Sequence, residues 1–99
     1  KAIILPVSEK HEKYAEKVLK SLENNEIRAL VDSRNETVGK KIREAEMAKI
    51  PFMLIVGEND EADNTISVRK HGGEDLGAIS IATFTDLVNT EINSTLKTF

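Results

Sequence analysis

Few residues of this sequence combine the type and spacing that chemistry requires. His11 and His71 lie far apart, and neither has a carboxylate at a metal-ligand spacing, so both read as surface residues. Cysteine is absent, which excludes thiolate nucleophiles, disulfides and cysteine-based zinc sites. Ser8, His11 and Asp32 make a nominal Ser-His-Asp set. No G-x-S-x-G elbow presents the serine, so the set reads as a chance triple rather than a hydrolase site. No glycine-rich phosphate loop follows a strand-like segment. Glu58, Asp60, Glu61 and Asp63 crowd the run GENDEADN, which reads as a solvated turn without the spacing of an EF-hand.

One grouping rises above this background. A polar turn, Asp32-Ser33-Arg34-Asn35-Glu36, follows a strand-like segment, and Lys40, Lys41 and Arg43 follow the turn. Arg69, Lys70 and His71 end another strand-like segment. If these strands are neighbours, the groups share one region and make a local basic surface. Arginine and asparagine carry the donor sets that read base edges, and lysine adds attraction to phosphate. A solvated rim accounts for the same residues, and at this level both readings stand.

The elements that must position these groups follow from periodicity. Ala2–Val7 is a short apolar run of strand length. Ser8 is placed to cap a helix in which Tyr14, Val18 and Leu22 recur at four-residue spacing, with Ala15 and Leu19 beside them. Asn24 and Asn25 end it, and Ile27–Asp32 reads as a second strand. Val38, Ile42, Ala45 and Ala48 predict a helix over Thr37–Lys49, closed by Pro51. Phe52–Val56, FMLIV, is continuous and predicts a central strand buried on both faces. Thr65–Arg69 alternates, and the short link before it predicts a hairpin with the preceding strand. Gly72-Gly73 marks a turn, and Leu76–Ile79 is one more short strand. Ser80 then caps a helix carrying Ile81, Phe84, Leu87, Val88 and Ile92, with signals weakening and fraying expected from Asn93.

The order β-α-β-α-β-β-β-α predicts one α/β domain over residues 1–99, with a mixed sheet of about five strands flanked by helices. Ninety-nine residues suffice for one core. Fourteen basic against seventeen acidic residues give a net charge of −3, which argues against bulk electrostatic binding to nucleic acid but permits a local basic surface. No apolar run approaches the ~20 residues needed to cross a bilayer, and no signal peptide is read before Pro6.

Several blocks carry a resemblance. Asp32 to Ala45, DSRNETVGKKIREA, is followed by Lys49 to Gly57, KIPFMLIVG, then Ser67-Val68-Arg69 and Gly72 to Gly77, GGEDLG. In that order, and with ILPVS at Ile4 to Ser8, the chain resembles the C-terminal anticodon-binding domain of threonyl-tRNA synthetase. The D-x-R turn, helix, I-P and strand are shared with the synthetases for proline, histidine and glycine. KIREA and GGEDLG together resemble the threonine family.

The resemblance implies a domain that binds the anticodon stem-loop of threonine tRNA, within a cytoplasmic ligase that attaches threonine using ATP. It implies that this chain is a fragment, that the full-length enzyme is a homodimer, and that catalysis, ATP, magnesium and zinc belong to a separate catalytic domain. No cofactor is expected in this domain. Carried residue by residue, it implies base contacts from Asn35 and Arg43, and from Arg69 to guanine in the second anticodon position. Asp60 falls where the family usually carries a base-reading glutamate; it is one methylene shorter, and Glu61 is the neighbouring alternative. Lys40 stands where the family is often aromatic, replacing a stacking platform by a charge. Arg34, Lys40, Lys41 and Lys70 are candidates for contacts to the tRNA backbone. The competing expectation is an accessory-subunit module that uses the same fold to bind protein.

Overall fold

The computed structural model describes the backbone of residues 2–97 and the side chains of residues 2–90. Lys1, and the side chain of Ile92 on the last helix, lie outside the described residues.

Three strands, β1 (Ala2–Pro6), β2 (Ala29–Val31) and β3 (Phe52–Val56), run parallel. β4 (Thr65–Lys70) and β5 (Asp75–Ser80) follow as antiparallel neighbours, giving the order β2-β1-β3-β4-β5. This is the mixed five-stranded sheet expected from the pattern. β2 is shorter than the run Ile27–Asp32 suggested.

Strand order decides where the helices lie. α1 (Glu12–Asn24) connects β1 to β2, and α2 (Val38–Met47) connects β2 back across β1 to β3. The two crossovers travel in opposite directions along the sheet. Keeping both right-handed places α1 and α2 on opposite faces. On the first face Ile4, Phe52, Leu54, Val56, Ile66 and Val68 meet Tyr14, Val18 and Leu22 of α1. They also meet Phe84 and Val88 of α4 (Ile81–Lys97). Phe84 packs edge-on against Phe52, with centroids 5.2 Å apart. On the second face Leu5 and Met53, with Ile3 and Ile55, pack against Val38, Ile42 and Ala45 of α2. β3 contributes to both clusters by alternation, which is why its sequence is continuously apolar.

α2 therefore covers β1 and β3. Among the described residues no such helix lies over the second face of β4 and β5, and Ala78 and Ser80 there are exposed. Within β4, Ile66 and Val68 point into the first cluster, so Thr65, Ser67 and Arg69 share the uncovered face.

The local signals were obeyed unevenly. Thr37 caps α2 by accepting from the Lys40 N–H, and Ser80 accepts from the Thr83 N–H at the start of α4. Ser8 occupies a cap position without a side-chain bond, before a 3-10 turn, Glu9–His11, that leads into α1. α4 continues to Lys97, past the point where fraying was expected. The larger correction concerns GENDEADN. It is not a turn throughout: Glu58–Asp63 forms a short helix, α3, so β3 and β4 are joined through a helix. Acidic residues in the first turn favour the helix N-terminus, and Asn64 in the left-handed conformation ends it.

Candidate nucleic-acid interface

The groups expected to share one basic region are separated. β4 runs antiparallel to β3, and the register Phe52↔Lys70 carries Arg69, Lys70 and His71 to the end of the sheet where β3 begins. Arg34, Asn35 and Lys40 lie at the other end, beyond the carboxyl end of β2, around the start of α2. Lys70 also faces the wrong way to join Arg69, because its ammonium sits 5.9 Å from the centre of the Phe52 ring, on the α1 side. The order of the strands along the chain was as expected, but direction and face divided the cluster.

Besides Lys70, three candidate cations are engaged within the chain. Lys41 is buried; its Nζ donates to the Asp32 carbonyl at 2.9 Å and reaches the Pro6 carbonyl at 3.5 Å. It ties together the ends of β1 and β2 and is not available to a phosphate. Arg34 forks onto Asp32, with Nη2 to Oδ2 at 2.8 Å and Nε to Oδ1 at 2.9 Å, and its Nη1 meets Glu44 at 2.9 Å. The guanidinium hydrogen bonds hold the Asp32 carboxyl below the usual carboxylate range. Lys40 pairs with Glu36 at 3.3 Å in the open, a contact that costs little to exchange.

Asn35 and Arg43 are exposed, and their side chains have no hydrogen-bond or ion-pair partner among the described residues. Asn35 lines a cleft of about 360 Å³ with Pro6, Ser8, Lys10, Arg34 and Glu36. Arg43 lies on the flank of α2 shared by Gly39 and Glu46, at i, i+4 and i+7. The Glu46 carboxylate reaches His71 and the Gly72 N–H, beyond the end of β4, so this flank looks toward the uncovered face.

Arg69 lies on that face, beside Met53 of β3 and Asp75 of β5. Its Nε is buried and has no hydrogen-bond partner among the described residues. A buried donor without an acceptor is costly in a folded chain, and a ligand that supplies the acceptor removes that cost.

Asp60 lies at the other end of the face and is itself buried. Its carboxylate accepts from the Gly57 N–H at 3.1 Å, reaching back from the third helical position to the cap of α3. It also accepts from Thr65 Oγ1 at 3.1 Å and from Ser67 Oγ at 3.1 and 3.2 Å. Glu61 bonds His11 Nδ1 at 3.2 Å. His11 is thus buried and paired, a correction to its reading as a surface residue, whereas His71 is exposed and pairs with Glu46. Ser8, His11 and Asp32 do not assemble, since His11 bonds Glu61 and Asp32 bonds Arg34. Tyr14 donates to the Thr65 carbonyl at 2.6 Å; burial, with Asp60 and Glu61 nearby, pushes its hydroxyl pKa up.

Thr65 and Ser67 were not singled out from the sequence. The alternation of β4 was legible, and it places both on the face of Arg69. A cleft of about 560 Å³ lined by Ala2, Glu23, Ile27 and Leu30 collects none of the candidate residues. Among the described residues no group of three or more His, Asp or Glu side chains is placed to hold a metal ion, and no helix is long and apolar enough to cross a membrane.

A family model described as an anticodon binding domain matches residues 1–91. The chain is 63% identical, over 99% of its length, to a threonine–tRNA ligase of Flavobacterium johnsoniae and covers 15% of that relative. It is 46% identical, over 96% of its length, to the threonine–tRNA ligase of Porphyromonas gingivalis and covers 14% of it. Among solved structures, the RNA binding domain of threonyl-tRNA synthetase from Cryptosporidium parvum superposes with a TM-score of 0.84 at 26% identity, covering 91% of this chain and 23% of that one. Prolyl-tRNA synthetase from the same organism gives 0.80 at 22% identity, covering 94% and 20%, a likeness of fold alone.

Proposed function

The chain belongs to the anticodon-binding domain family, and on that premise we propose that it binds the anticodon stem-loop of threonine tRNA as one domain of a threonine–tRNA ligase. The chain spans about 15% of the ligases it matches. On this reading, threonine activation with ATP, and the magnesium and zinc that chemistry would use, are assigned to the remainder of a cytoplasmic, homodimeric enzyme.

The observation that carries the reading is the partnerless buried Nε of Arg69 on a sheet face that α2 leaves uncovered. Anticodon bases are unpaired, so their edges are open to side chains from such a face. Arg69 offers its fork to guanine in the second anticodon position. Arg43, on the neighbouring flank of α2, and Asn35, at the start of that helix, supply further donors. Asp60, expected from the sequence as an acidic base reader, accepts from the hydroxyls of Thr65 and Ser67 on β4. Few phosphates need contact, which accords with a net charge of −3.

The test is titration of the chain, at fixed salt, against two anticodon stem-loops that differ only at the second anticodon base. The wild type favours the threonine anticodon. Arg69→Ala weakens binding by about 1–3 kcal/mol and relaxes the preference at that base. Equal loss on both loops refutes base reading by Arg69, and absence of binding to either rejects the function.

A further inference from the structure

Asp60 poses a problem for a simple acidic reader. A carboxylate has about four lone-pair sites, and here three protons, from the Gly57 N–H and the Thr65 and Ser67 hydroxyls, address both of its oxygens, that of Ser67 shared between the two. With the residue only 8% exposed, little of its accepting capacity is left for a base. The consequence passes to Ser67. A serine hydroxyl has one proton, and that of Ser67 is committed to Asp60. What Ser67 Oγ has left is lone pairs, on a half-buried side chain of the uncovered face. Donation to an anion also polarises the oxygen and strengthens it as an acceptor. Its neighbour on β5, Ala78, is small and exposed and leaves room above it.

Ser67 and Arg69 stand two residues apart on the same side of β4, roughly 7 Å along the strand. One is held as an acceptor; the other is a donor lacking an acceptor. Together they match a base that presents acceptors on one edge and a donor at the far end of the next. Guanine has this pattern: N7 and O6 on one edge for the arginine fork, and the exocyclic N2 amine at the far end of its Watson–Crick edge. We infer that Ser67, oriented by Asp60, is a specificity-determining residue that accepts a hydrogen bond from the N2 amine of the guanine held by Arg69. Asp60 is then a positioning residue. The inference rests on the anticodon-binding reading and adds to it the polarity of a second contact.

Inosine tests this directly, because it is guanosine without the N2 amine. Wild type, Ser67→Ala and Ser67→Thr are titrated against stem-loops carrying guanosine or inosine at the second anticodon position. The wild type prefers guanosine by about tenfold, the worth of one such bond. Ser67→Ala loses that factor on guanosine, binds both loops alike, and matches the wild type on inosine within about twofold. Ser67→Thr keeps a hydroxyl and restores the preference. If Ser67→Ala weakens both loops equally, Ser67 acts only by supporting Asp60 and the inference is overturned. A wild type that rejects other bases yet binds guanosine and inosine alike also overturns it, while leaving the anticodon reading intact. A wild type indifferent to every base at that position refutes the anticodon reading itself.

Discussion

Replacing Lys41 by methionine separates the two roles open to a lysine at the start of α2. If it is a structural tie, its loss is felt in stability; if it meets phosphate, its loss is felt in the salt dependence of binding. The geometry supports the tie. Nζ donates to the Asp32 carbonyl at 2.9 Å, and the residue is 4% exposed. A hydrogen bond from a charged donor contributes about 1.5–3 kcal/mol. The second contact, to Pro6 at 3.5 Å, is at the limit of a bond and adds little. Methionine retains most of the volume, abolishes the desolvation of a buried ammonium, and leaves the Asp32 carbonyl without this donor. The opposing terms leave a net loss of about 1–2 kcal/mol. In a domain of this size that lowers Tm by roughly 5–15 °C. A thermal melt followed by circular dichroism reads the first quantity. Stem-loop titration across a salt series reads the second. A lost phosphate contact would make the slope of log K against log salt shallower by about 0.7–0.9. The expected result is a lower Tm with an unchanged slope. An unchanged Tm with a shallower slope would refute the reasoning.

Two further outcomes follow from the packing. Tyr14 is the only tyrosine, so its ionisation can be followed by ultraviolet absorbance without overlap. Its folded pKa is raised, so the stability it contributes is complete below the unfolded value of about 10 and is lost as pH rises through the folded one. A native transition midpoint at or below 10 would contradict the buried bond to Thr65. Phe84 is fully buried against Phe52, and Phe84→Ala should cost about 3–5 kcal/mol by urea denaturation, with Phe84→Leu losing far less; a loss under 1 kcal/mol for alanine would show that the α4 contact is dispensable.

The elements were legible because each rests on a local periodicity. Tyr14, Val18 and Leu22 repeat at helical spacing, and all three are buried on one face of α1. FMLIV is apolar throughout because both faces of β3 are covered. GENDEADN was misread for an equally local reason. Its charges resemble a turn, and a helix of six residues is too short to show a period. Its carboxylates favour the helix N-terminus, and Asp60 is anchored by hydroxyls five and seven residues further along the chain, on β4.

The site was legible by residue type and not by arrangement. Arg69 and Arg43 were identifiable as donors, and Asn35 as a polar group at a helix entry. That Lys41 is buried, Arg34 is paired with two carboxylates, and Lys70 lies over Phe52 depends on which strands adjoin which. No periodicity along one segment carries that information.

What the sequence by itself determined is the alternation of strands and helices, the two-sided burial of β3, and the residue types available to meet a base. Tertiary structure alone decided their use. The right-handed return of α2 across β1 covered one half of a sheet face and left the half formed by β4 and β5 open. The antiparallel direction of β4 then sent Arg69 to one end of that face and the Thr65–Ser67–Asp60 cluster to the other. The physical reason is one of range: burial periodicity acts along a single element, whereas the polarity of a binding face comes from hydrogen bonds between elements distant in the chain.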